Sequence, residues 1–232
     1  MDQLEALQQW EDIPTYSLQA MPPAGEALIP EVHNEDGPAT VLGNPPSLRG
    51  AGFNLRVLRN KELVSGGVRF RNSQLAVWLE HDGFLTASSR ADSTFLGWAI
   101  NDHMGTGPIW INPLTLVEFT FEFLRTLHAE LIARAPGEWM LRVTCRRFAS
   151  ADIRLERGQL RRPPFFRDEF DDRVTEDSWH STFATTGDPG RDAFAVLTRV
   201  YGLFGLGEDA IPYTDGKSIS GEAIIESGRQ PM

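Results

Sequence analysis

The stretch Asn112–Ala135, NPLTLVEFTFEFLRTLHAELIARA, limits what this chain can fold into more than any other. Asn112 has the chemistry of an N-cap: its side-chain oxygen can accept a hydrogen bond from an otherwise unpaired N–H of the first turn. Pro113 then falls at the first helical position, where a missing N–H costs nothing. Pro136 and Gly137 end the pattern. At 100° per residue, Leu116, Val117, Phe121, Phe123, Leu124, Leu127 and Leu131 share one very wide apolar face. Glu118, Glu122 and Arg125 occupy the remaining stripe, beside Thr115 and Ala129. A helix with so little polar surface belongs in a core, covered by a sheet or by other helices.

Around this helix the chain reads as strands. Phe53, Leu55 and Val57 alternate with Asn54, Arg56 and Leu58, and Val68 and Phe70 with Arg69 and Arg71. Leu75–Leu79 and Phe84–Ala87 flank Glu80-His81-Asp82-Gly83, an Asp-Gly hairpin signal. Phe95–Ile100 and Ile109–Ile111 are short apolar runs on either side of the loop 101–108. After the helix, Leu141, Val143 and Cys145 alternate with Arg142, Thr144 and Arg146, and Ile153 and Leu155 with Arg154 and Glu156. These two segments read as neighbouring antiparallel strands with an apolar inner face and an arginine-bearing outer face. Residues 159–190 read as irregular, and a second helix is expected over about 191–204. Strand runs broken by single helices predict an α+β fold, with a mainly antiparallel sheet and the 113–135 helix packed on it.

Three regions follow. Residues 2–10 can form a short helix with Leu4, Leu7 and Trp10 on one face, and 14–46 is rich in proline, so 1–50 is expected to be an extended arm. Residues 51–215 form a single α+β domain. The polar, glycine-bearing segment 216–232 is expected to be a flexible tail.

Composition excludes several classes. None of the 232 residues lies in a run near the ~18 apolar residues a membrane span needs, so no membrane partner is expected. The first residues, MDQLEALQQWED, lack the apolar core of a secretory signal. Cys145 is the only cysteine, which removes intrachain disulfides and cysteine-based zinc cages and points to the cytoplasm. The histidines His33, His81, His103, His128 and His180 are isolated, with no His-x-His and no His-Glu-x-x-His, so no metal and no cofactor is expected. Cys145 reads as an inert, inward-facing strand residue, and His128 as a satisfied residue at the edge of the helix face.

Net charge is −10, which opposes non-specific nucleic-acid binding by the whole body. The charge is uneven. Arg142, Arg146, Arg147, Arg154, Arg157, Arg161, Arg162 and Arg167 face only Asp152 and Glu156 in their own stretch. Asp168, Glu169, Asp171, Asp172, Glu176 and Asp177 follow at once. Arg142, Arg146 and Arg154 on neighbouring strands would make a positive patch. Arg161, Arg162 and Arg167 around Phe165 and Phe166 would add a phosphate or single-strand platform. The competing reading is self-neutralisation by the acidic run. The loop Asn101–Gly107 sets Asp102 beside His103 near two glycines, either an acid/base pair or an ordinary turn.

INPLTLVEFTFEFLR (111–125), preceded by FLGWAIN (95–101) and followed by LRVTCRRF (141–148), resembles the C-terminal region of bacterial proteins that carry a Schlafen-AlbA-type DNA-binding domain. AVLTRVYGLFGLGEDAIPY (195–213) is similar to the end of such proteins. The resemblance covers roughly 50–213 and implies no catalytic residue. The AlbA-like domain has no counterpart here, so a separate subunit or a trimmed part of a longer protein is expected. Three functions are consistent with these residues. The first is a non-catalytic accessory or assembly subunit of a bacterial, DNA-linked or defence-type complex, with another protein subunit as partner. The second is a nucleic-acid-binding module using 142–167. The third is a hydrolase with a site near Asp102 and His103.

Overall fold

The computed structural model describes residues 10–23, 48, 60–64, 66–97, 108–156 and 174–227. The fold is α+β. Seven strands form one antiparallel sheet: β1 (Thr15–Met21), β2 (Asn60–Val64), β3 (Gly67–Arg71), β4 (Leu75–Glu80), β5 (Leu85–Arg90), β7 (Met140–Arg146) and β9 (Ser178–Ala184). Their order is β2-β3-β4-β5-β1-β7-β9. β6 (Ile109–Ile111) and β8 (Ile153–Leu155) make a separate parallel pair. α1 (Pro113–Leu127) runs on through a π-helical turn, His128–Ile132. α2 (Pro189–Leu203) packs against it, and a short α3 (Gly221–Ser227) closes the described chain.

Local chemistry explains most of these elements. The Asn112 side chain accepts from the Leu114 N–H at 3.0 Å, with Pro113 at the first position. Asp188 and Pro189 repeat the device on α2, where Asp188 accepts from the Arg191 N–H at 2.7 Å. The β4–β5 hairpin turns where the Asp-Gly pair predicts: Gly83 has φ 92°, and the Asp82 carboxylate accepts from the Phe84 N–H.

The core lies between one sheet face and the α1–α2 layer. Tyr16, Leu18 and Ala20 of β1, Val77 and Leu79 of β4, and Leu141, Val143 and Cys145 of β7 face it. Every residue assigned above to the apolar face of the long helix is buried. Phe119 meets both Tyr16 and Phe95 edge-on, with ring centroids 5.9 and 5.8 Å apart. The Tyr16 hydroxyl bonds the Thr120 hydroxyl at 2.9 Å, and burial pushes its ionisation far above the usual phenol range.

The structure corrects four expectations. Thr15–Met21, assigned to the extended arm, is an interior strand of the sheet, paired with β5 on one side and β7 on the other. Pro14, Pro22 and Pro23 bracket that strand instead of interrupting it, so no ladder donor is lost. Residues 24–47, 49 and 50 of the arm lie outside the described residues, as do residues 2–9 and the strand expected at 53–58. Second, Glu118 and Glu122 are not a solvent stripe: both are 1% exposed, and Glu122 accepts from the Leu48 N–H at 3.3 Å. α1 is covered on its polar side as well.

Third, β8 does not pair with β7. The connection takes left-handed backbone at Arg147 (φ 59°) and Asp152 (φ 46°), and the Ile153 N–H returns to the Phe148 carbonyl. That turn carries β8 off the sheet and onto β6, while β9, within a segment read as irregular, takes the place beside β7. Fourth, 216–232 is not a free tail where it is described. Ile219 and Ile224 are buried, and the Ile219 N–H donates to the Gly190 carbonyl at 3.1 Å. A Cβ on Gly190 would come within 2.3 Å of the Ser218 Oγ, so the glycine is what lets this segment dock on the start of α2.

Candidate functional site on the outer sheet face

The face of the sheet turned away from the helices is polar, and strand register defines its rows. One row runs Arg69, Trp78, Thr86, Gln19, Arg142, Thr182 across β3-β4-β5-β1-β7-β9. The next runs Arg71, Ala76, Ser88, Ser17, Thr144, His180. Ser17 and Ser88 bond each other at 2.8 Å. Three polar atoms on this face, Thr15 Oγ1, Trp78 Nε1 and Arg142 Nε, are buried with no hydrogen-bond partner among the described residues. Thr15, Ser17, Trp78 and Ser88 on this face are themselves buried.

The arginines divide. Arg142 and Arg146 lie on one side of β7 with Thr144 between them, their Cα atoms about 13 Å apart at ordinary strand rise. Arg154, expected beside them, is on β8 in the other sheet. It pairs with Asp152 at 3.2 Å and stands over the Trp110 ring at 5.8 Å. Arg69 and Arg71 share Glu62, and hydrogen bonds from both hold the Glu62 carboxyl below its usual range. Arg90 pairs with Asp92. Arg147 reaches Asp12 at 3.4 Å. Asp177, the end of the acidic run, accepts hydrogen bonds from Ser150 and feels Arg147 and Arg146, which together lower its carboxyl. Arg161, Arg162, Phe165, Phe166 and Arg167 lie outside the described residues, and so do Asp102 and His103.

One pair went unread in the sequence. His128, at the start of the π turn, places Nε2 2.8 Å from Asp192 Oδ2 on α2, and Asp192 is fully buried. The other Asp192 oxygen accepts from the Thr186 N–H at 2.7 Å. The only local sign of this link was an acid in the first turn of a helix, since the two residues are 64 apart in sequence. Among the described residues, no group of three or more His, Cys, Asp or Glu could hold a metal ion. No described helix is long and apolar enough to cross a membrane.

Cys145 is buried against the helix layer, and burial pushes its thiol well above the usual range. A thiol is reactive only as thiolate. Iodoacetamide at neutral pH should therefore leave the native protein unlabelled and react after denaturation. Rapid native labelling would place Cys145 at an accessible surface.

The chain matches no protein-family model, no curated protein and no solved structure.

Proposed function

We propose that this chain is a non-catalytic accessory or assembly subunit that binds another protein through the outer face of its sheet. The observation that carries this reading is the internal pairing of the arginines. Arg69, Arg71, Arg90 and Arg154 each meet a carboxylate of their own chain, and Asp177 lies against Arg146 and Arg147. A polyanion would have to displace these partners on a body of net charge −10. Arg142 and the exposed Thr182 beside it stand on a largely hydroxyl-lined face, and arginine is a residue type enriched at protein interfaces. The resemblance of 50–213 to the C-terminal region of Schlafen-AlbA-type proteins points to a bacterial, DNA-linked or defence-type complex.

The second reading, a nucleic-acid module, draws on Arg142, which has no ion pair among the described residues, and on Arg146 beside Asp177. The hydrolase reading at Asp102 and His103 rests on the sequence alone. Fluorescence anisotropy with short single- and double-stranded DNA across a salt series separates the first two. The intact protein is expected to bind weakly or not at all, and a tagged chain to retain a defined protein from its host that Arg142→Ala with Thr182→Ala releases. Tight binding that falls by about one unit of salt slope per lost phosphate contact, and disappears in an Arg142→Ala, Arg146→Ala, Arg154→Ala variant, would replace the first reading with the second.

A further inference from the structure

We propose that β9 is a dimerisation strand, pairing antiparallel with β9 of a second copy so that one sheet runs through both chains. The proposal is independent of the reading of the outer face. β9 is an outer strand of the sheet, with β7 on one side only. The Thr185 N–H donates to the Trp139 carbonyl at 2.8 Å, which makes that pair a hydrogen-bonded one. Antiparallel ladders alternate, so Phe183, Ser181 and Trp179 also spend their backbone groups on β7. The N–H and C=O groups of Ser178, His180, Thr182 and Ala184 then point off the sheet. Among the described residues, nothing hydrogen-bonds them on that side.

An edge of this kind is usually protected by charge, proline, a bulge or brevity. The other edge, β2, is five residues long and carries Lys61 and Glu62. β9 has seven residues, SWHSTFA, with no lysine, acid or proline.

The choice of a second copy comes from the strand itself. A two-fold axis through Ser181 sets Ser181 against the partner's Ser181 in a non-hydrogen-bonded pair. His180 then faces the partner's Thr182, and Ser178 the partner's Ala184, all with outward backbone groups, so donors and acceptors meet in register. On the helix side, Trp179 meets the partner's Phe183 and Phe183 the partner's Trp179. Both aromatics are only partly buried against the core in one chain, and cross-strand aromatic pairs stabilise sheets. No like charges oppose each other in this register.

Sedimentation of the full chain tests this. The 25.9 kDa protein should sediment as a dimer at micromolar concentration. His180→Lys with Thr182→Lys sets lysines against each other across the axis at two exposed positions, and should weaken the dimer at least about tenfold with an unchanged circular dichroism spectrum. His180→Glu with Thr182→Lys should restore it, because each glutamate then faces a lysine. Ser181→Cys should give a covalent dimer on mild oxidation whatever the folding of the charge variants, Cys145 being buried. A wild-type monomer up to about 100 µM, a dimer indifferent to the two lysines, or a failure of Ser181→Cys to cross-link would each overturn the proposal.

Discussion

Phe119→Ala is expected to destabilise the protein by about 3–5 kcal/mol, and Leu124→Ala by about 2–5 kcal/mol. Both side chains are fully buried on α1. Phe119 stands between the rings of Tyr16 and Phe95, so truncation removes two edge-on ring contacts as well as buried area. The same change loosens the wall beside the Tyr16–Thr120 hydrogen bond, where a misplaced hydroxyl would have no water to turn to. Urea melts followed by tryptophan fluorescence and circular dichroism give the magnitude. Losses under about 1 kcal/mol for both variants would mean that α1 is peripheral to the core.

Asp192→Ala is expected to cost about 1–3 kcal/mol, the range for leaving buried hydrogen-bond partners unsatisfied. Its carboxylate is inaccessible to solvent and joins three segments: the π turn through His128, the strand-to-helix loop through the Thr186 N–H, and α2 on which it sits. Alanine leaves the largely buried His128 ring without its acceptor. A double-mutant cycle with His128→Ala should show a coupling of about 0.5–3 kcal/mol. Strict additivity would show that the two side chains act independently despite their 2.8 Å separation.

Some of this architecture can be read directly from neighbouring residues. The α1 cap, the Asp-Gly hairpin and the buried face of α1 each depend on contacts within a few positions, so the local pattern states them. β1 and β9 were misread although both alternate: Tyr16, Leu18 and Ala20 in one, Trp179, Ser181 and Phe183 in the other. Flanking prolines masked the first. Hydroxyl-rich composition masked the second, because Ser and Thr are as much turn residues as strand residues. The candidate surface was half legible. The outward direction of Arg142 and Arg146 follows from strand alternation. Trp78 and Thr15 as their companions on the same face follow only from strand order.

The amino-acid sequence alone determined the fold class, the long core helix with its N-terminal cap, and the inward position of Cys145, because capping, periodicity and burial of apolar side chains operate along the chain. Tertiary structure decided which strands are neighbours. β1 joins β5 and β7 across gaps of 65 and more residues, Ala20 to Leu85 being the shortest, and β8 leaves β7 for β6 because the Arg147 and Asp152 backbone turns it away. It also decided where charges end up, burying Glu118, Glu122 and Asp192 and giving most of the described arginines an acidic neighbour from their own chain. The physical reason is common to both: strand pairing and ion pairing depend on separation in space, and separation in sequence does not set that distance until the core has closed.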